Sequence, residues 1–128
     1  MMKLENTLIH ALGIEVTELG KGHVTATMPV DERTRQPFGL LHGGASVALA
    51  ETVASIGAFE LVDQEKEAVV GLEINANHIR AKKDGVVTAA ATVLHQGKST
   101  MVWDIKITDE EGKLVCVSRC TMAVIQRK

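Results

Sequence analysis

Residues 43–62 read GGASVALAETVASIGAFELV, a proline-free, alanine-rich run that is apolar nearly all round. Such a run predicts a helix enclosed on every side, so the rest of the chain must wrap it. Glu51 breaks the pattern as the only charge between Gly43 and Phe59. A carboxylate in such surroundings is paired, protonated or functional, because loss of water disfavours its ionised form and raises its pKa. Ser55 lies one turn further on and shares the face of Glu51, where it can orient the carboxylate or hold a water. A bilayer is a poor host for the same run. Glu51 would sit near mid-membrane at a cost of roughly 2.5–3.5 kcal/mol, no Lys or Arg flanks the run closely, and strands follow it.

The wrapping comes from strands. His23, Thr25 and Thr27 alternate with Val24, Ala26, Met28 and Val30, the pattern of a half-buried strand. Runs rich in Val, Ile and Thr follow at about 69–80, 86–96, 100–108 and 114–125, with turns at Asp84-Gly85, Gln96-Gly97 and Glu111-Gly112 that suit antiparallel hairpins. Residues 4–12 have helical spacing and stop at Gly13, and residues 31–42 read as a loop. The prediction is an α+β chain, one long helix against about five antiparallel strands, filling a single domain over residues 1–128. Phe38, Phe59 and Trp103 are the only aromatics, so the core is built from many small contacts. Pairing with a second copy adds buried area and covers an otherwise bare sheet edge.

A net charge of -2 excludes a broad polyphosphate grip and with it nucleic acid as the main partner. Met1-Met2-Lys3-Leu4-Glu5-Asn6 turns polar too early for a signal peptide, which leads us to expect a cytoplasmic protein. Cys116 and Cys120 are four apart in a strand, so their Cα atoms are about 13 Å apart, too far for a disulfide, and they read as reduced packing residues. His10, His23 and His95 show no ligand spacing, so no metal site is expected. The chain also lacks a Gly-x-Ser-x-Gly elbow, which excludes an α/β-hydrolase.

The helix opens with His42-Gly43-Gly44. Glycines at a helix start leave N–H groups bare where the dipole favours developing negative charge, as on the oxygen of a thioester carbonyl. The same three residues also fit a simple turn and cap. His42 can support the loop or donate a hydrogen bond, and Gln36 offers another amide donor. Gly43 and Glu51 are about 12 Å apart along one helix, whereas reacting atoms must approach to about 3–3.5 Å. Two antiparallel copies can bring Gly43 of one chain beside Glu51 of the other, giving two composite sites per dimer. His78, Arg80, Lys82 and Lys83 form a basic cluster that suits nucleotide phosphates or an ordinary solvated strand end, and Lys98 has the same ambiguity.

The stretch Gln36-Pro37-Phe38-Gly39-Leu40-Leu41-His42-Gly43-Gly44-Ala45-Ser46, followed by Leu49-Ala50-Glu51, resembles the signature of hotdog-fold acyl-CoA thioesterases. Val70-Gly71-Leu72-Glu73-Ile74-Asn75-Ala76-Asn77-His78-Ile79-Arg80 resembles the PaaI-like branch of that family, whose aroyl-CoA substrates include 1,4-dihydroxy-2-naphthoyl-CoA of menaquinone synthesis and 4-hydroxybenzoyl-CoA. The similarity spans roughly residues 22–125.

The resemblance implies a hotdog fold, a long central helix wrapped by a curved antiparallel sheet of five or six strands. It implies that Glu51 is nucleophile or general base, and that the Gly43 N–H polarises the thioester carbonyl with help from Gln36 and His42. Ser55 would position the hydrolytic water. CoA would be held by Gly71, by His78, Ile79, Arg80 and Ala81, and by the turn His95, Gln96, Gly97, Lys98, Ser99 and Thr100. Members assemble as dimers of dimers with shared sites, and need no cofactor beyond the CoA of the substrate. Two other readings belong to different classes: a hotdog 3-hydroxyacyl dehydratase or hydratase, although the Pro-rich loop of dehydratases is missing, and a silent acyl-CoA binder.

Overall fold

In the computed structural model, which describes residues 3–128, helix α1 (Leu8–Leu12) precedes strands β1 (Glu15–Gly20) and β2 (His23–Pro29). Helix α2 (Gly43–Phe59) follows, and then strands β3 (Glu67–His78), β4 (Val86–Gln96), β5 (Thr100–Thr108) and β6 (Leu114–Gln126). Met1 and Met2, part of the leader-free and 1–128 readings, lie outside the described residues. All six strands join one antiparallel sheet in the order β1-β2-β4-β5-β6-β3. No helix of the described residues is long and apolar enough to cross a membrane.

The sheet wraps α2 with the alternation the sequence predicts. Val24, Ala26 and Met28 on β2, Val87, Ala89 and Ala91 on β4, and Met101, Trp103, Ile105 and Ile107 on β5 are buried against the helix. On the helix side the buried residues are mostly small, among them Ala45, Ala50, Ala54, Gly57 and Ala58. They let the backbone approach the sheet closely, and a Cβ at Gly57 would lie 2.5 Å from the Trp103 ring.

Three expectations need correction. β1 was not expected: it has only two apolar side chains, Val16 and Leu19, and a bulge between Val16 and Glu18 spoils their alternation. Helix α1 starts later than residue 4, because Asn6 takes a left-handed φ of 62° and Thr7 caps the helix at Leu8. β3 and β4 do not form a hairpin. β3 pairs with β6, β4 lies between β2 and β5, and Asp84-Gly85 ends a crossover between them.

That crossover, residues 79–85, fixes the end of the molecule where α2 begins. Ile79 and Arg80 N–H groups donate to Val115 O, Leu41 N–H donates to Lys82 O, and Arg35 Nε donates to Lys83 O. Lys82 Nζ pairs with Glu110 at 2.7 Å, and Glu110 Oε2 also accepts from Val86 N–H at 2.9 Å. The Lys82 ammonium, seconded by the Val86 N–H, holds the Glu110 carboxyl down at about 2. Lys82 is therefore neutralised, and the expected basic cluster is reduced to His78, Arg80 and Lys83.

Two outcomes follow from this packing. Ala in place of Gly in a helix normally stabilises by about 1 kcal/mol, but overpacking costs about 1–3 kcal/mol. Gly57→Ala should therefore lower the urea midpoint, with a net loss of up to about 2 kcal/mol. Glu110 has a lowered folded-state pKa, so its contribution to stability is fully present above its ordinary value of 4.5 and is lost as pH falls through about 2. Glu110→Gln should be less stable than wild type at neutral pH, and thermal melts should show the gap closing between pH 4.5 and 2.

Candidate active site

Helix α2 is not enclosed on every side. Ala48, Glu51, Thr52, Ser55 and Phe59 are only half-buried and face a cavity of about 550 Å³. This stripe follows from helical spacing, since residues three and four apart share a face. Glu51 thus stands in a cleft, and among the described residues it forms no ion pair with any Lys, Arg or His. Ser55 lines the same cavity, with its Oγ directed at Met122 Sδ 3.8 Å away.

Gly71 lies beneath Glu51, where a Cβ would collide with Glu51 Oε2. Its partner across the sheet is Met122, whose buried side chain faces inward, and the β3 bulge follows between Gly71 and Glu73. The local need for glycine here is room for a carboxylate. Burial, reinforced by the nearby Glu51 and Glu73 carboxylates, pushes the Cys120 thiol up to about 12. Cys120 is therefore a protonated packing residue. Cys116 is also free and buried, its thiol pushed up by desolvation.

Other predicted site residues lie in a separate groove of about 330 Å³ lined by Gln36, Gly43, His78, Ile79, Arg80 and Ala81, among others. It shares no lining residue with the Glu51 cavity. A helix start presents orphan N–H groups. Here Gly44 N–H donates to His42 Nδ1 at 2.7 Å, and Ala45 and Ser46 N–H groups donate to His42 O. Gly43 N–H has no acceptor among the described residues, so it is the free donor of this helix start. The His78 ring packs over Gly43, with Nε2 2.8 Å from where a Cβ would be.

Gln36 accepts from Phe38 N–H at 2.6 Å and Leu40 N–H at 3.3 Å through its Oε1. Its carbonyl end shapes the loop, which leaves the NH2 end as the donor available to the groove. His42 behaves differently from its neighbours: its Nδ1 caps the helix, and its ring lines a smaller pocket with Arg33 and Arg35. In this arrangement His42 supports the loop.

The residues assigned to CoA fall into two groups. His78 pairs with Cys116 near the start of β6, whereas Gly71 pairs with Met122, about 20 Å further along that strand. The turn His95–Thr100 is at the Gly71 end, since Thr100 and Val70 both pair with Ala123. His95 packs over Gly97, Ser99 O accepts from Val124 N–H, and Gln96, Lys98 and Thr100 complete the β4–β5 turn. One chain therefore places Glu51, Gly71 and the 95–100 turn towards one end, and Gly43, Gln36 and residues 78–81 at the other.

The thioesterase superfamily model matches residues 38–116, which include both groove and cavity residues. The chain belongs to the thioesterase superfamily. It is 53% identical over 121 residues to a 1,4-dihydroxy-2-naphthoyl-CoA hydrolase of Listeria monocytogenes, covering 94% of this chain and 98% of that one. The crystal structure of a mutant thioesterase from Pseudomonas aeruginosa superposes with a TM-score of 0.94 at 47% identity, covering 97% of this chain and 89% of the other. A Staphylococcus aureus thioesterase matches at 47% identity with a TM-score of 0.92, over 94% of this chain and 99% of the other. In two structures of that protein a glutamate and a glutamine are replaced by alanine, at positions as far apart there as Gln36 and Glu51 are here. The fold is the hotdog fold, and the chain is an acyl-CoA thioester hydrolase.

Sequence reasoning missed Leu8, Leu19, Phe59 and Val69, which line the Glu51 cavity. They carry no chemical signature, and only the fold places them together. Gly71→Ala should displace the Glu51 carboxylate. Steady-state kinetics should show kcat for thioester hydrolysis lowered at least about tenfold while KM changes little, as expected when a transition-state interaction is lost.

Proposed function

We propose that this chain hydrolyses an aroyl-CoA thioester, of the 1,4-dihydroxy-2-naphthoyl or 4-hydroxybenzoyl kind, at sites each built by two copies. The observation that carries this reading is the division of the machinery: an unpaired carboxylate in one cavity and a free helix N–H in another, with no lining residue in common. Edge strand β3 supplies the means of joining them. It offers a twelve-residue row of backbone groups with no neighbour on its outer side, and Val70 and Leu72 are exposed on it. Antiparallel pairing of β3 with its copy about a two-fold axis near Ile74 brings Gly71 of one chain opposite the partner's His78. Glu51 stands against Gly71, and Gly43 stands against His78. The same axis therefore carries the carboxylate of one chain to the helix start of the other.

In such a site the thioester carbonyl oxygen accepts from Gly43 N–H and the Gln36 NH2 group. Both stabilise the negative charge that forms as the carbonyl carbon is attacked. Glu51 acts on that carbon directly or through a water held by Ser55, and either route uses the same unpaired carboxylate. On the water route Glu51 takes the water's proton, and collapse of the adduct breaks the carbon–sulfur bond to give the free acid and a CoA thiolate that takes that proton up. On the direct route collapse expels CoA thiolate and leaves a Glu51 anhydride, which water then hydrolyses to the free acid. Arg80, Lys83 and His78 attract the CoA phosphates from one chain, and the 95–100 turn approaches from the other. The reaction draws on no cofactor. Two free, buried cysteines fit a reducing cytoplasm, and the sheet's outer face offers a surface on which two dimers can stack into a tetramer.

Subunit mixing provides the test. Glu51→Ala should abolish CoA release from aroyl-CoA while leaving substrate binding and the dimer intact, and Gln36→Ala should lower kcat about a hundredfold. Unfolded and refolded together, the two variants should recover about a quarter of wild-type activity, because half the dimers then carry one intact site of two. No recovery from a mixture shown by native mass spectrometry to contain heterodimers would refute the shared site.

A further inference from the structure

A half-open groove of about 480 Å³ adjoins the Glu51 cavity, lined by Leu4, Ile14 and Val16, with Glu15 as its only charge. Ile9, Leu19 and Ile56 line both cavities, so these three side chains form the partition. Voids left by imperfect packing are about the size of a water molecule, whereas ligand pockets run to several hundred Å³.

The bulge in β1 builds this partition. In a regular strand, residues three apart point to opposite faces. Here Val16 pairs with Ala26 and Leu19 with Val24, both partners buried and inward-facing, because Thr17 is the extra residue between them. Thr17 Oγ1 lies 2.8 Å from Thr25 Oγ1, which fastens the bulge to β2. Lys21 Nζ donates to Glu60 O at 2.6 Å and ties the β1–β2 hairpin to the end of α2. Of the three partition residues, Ile56 is 7% exposed and Leu19 52% exposed, so Leu19 is the one with room to yield.

We propose that Leu19 is a specificity-determining residue: it ends the acyl pocket at ring depth and closes off an apolar compartment sized for a straight alkyl chain. This rests on the thioesterase reading above. Glu15 carries the only polar side chain lining the compartment, so a fatty acyl chain is its fitting occupant.

The test compares benzoyl-CoA with dodecanoyl-CoA in wild type, Leu19→Ala and Leu19→Phe, reading CoA release. Leu19→Ala should raise the dodecanoyl-to-benzoyl ratio of kcat/KM at least about tenfold, and Leu19→Phe should lower it, a range consistent with a few methylenes of apolar contact. Calorimetric binding of S-dodecyl-CoA and S-benzyl-CoA thioethers reads the same ratio without turnover. An unchanged ratio in folded, dimeric Leu19→Ala overturns the wall. So does a change in dimer stability alone, which would mean that a second copy fills the space. Failure of wild type to release CoA from either thioester overturns the thioesterase reading instead, while the thioether ratio still decides the role of Leu19.

Discussion

The contact between α2 and the sheet sets every other distance in the molecule. Small residues on the helix let the sheet close around it, and Gly57 against Trp103 marks the closest approach. Once the helix is seated there, its rotation is fixed, and with it the direction of Glu51. The carboxylate cannot retreat into the core, because Leu49, Ala50, Val53 and Ala54 occupy the faces that point inward. It cannot advance through β3 either, because that strand's backbone lies directly behind it at Gly71. Glu51 is therefore held at the edge of a cleft by shape, with no ion-pair partner among the described residues.

Charge is distributed in keeping with that constraint. The ion pair between Lys82 and Glu110 lies in the crossover beside the helix start, where it fixes backbone rather than substrate. Arg35 is likewise engaged with the carbonyls of Val30 and Lys83. These contacts hold the loop that carries Gln36 and the end of β3 that carries His78, so Gly43 N–H is framed by rigid neighbours. Preorganised donors of this kind stabilise a developing oxyanion because they need not reorient when charge appears. The cations left unpaired there, Arg80 and Lys83, lie next to this frame and remain available to an anionic ligand.

Much of this was legible in the sequence, because the features that mattered were violations of local pattern. One charge in an apolar helix marked Glu51, paired glycines marked the helix start, and strict alternation marked β2. The eight-residue gap between Gly43 and Glu51 already implied two halves, since helical rise is fixed. What stayed hidden depended on long-range pairing. β1 escaped because its bulge destroys the period of two, and the β3–β4 crossover was read as a hairpin because an Asp-Gly turn looks the same in both. The open stripe on α2 escaped as well, because Ala48 and Thr52 do not reveal which face the sheet leaves bare. Lys82 looked free because its partner, Glu110, is distant in the chain. The places of Gly71 against Glu51 and of Leu19 between two cavities had no local signature, being set by what lies across a gap.

The two ends of the sheet divide the chemical labour. β3, at one edge, carries Gly71 against Glu51 and His78 against Gly43, and a one-residue slip there would turn both to the wrong face. β1, at the other edge, meets the Glu51 cavity through Leu19. Edge strands held by few side-chain contacts change at little cost to the core, and β1 has no buried residue of its own. With Leu19 as the proposed wall, such a chain would vary the depth of its acyl pocket while the placement of Glu51 and Gly43 stays fixed. In the proposed two-fold dimer, any shift in β3 would act on both sites at once, whereas a change at Leu19 would alter only the wall.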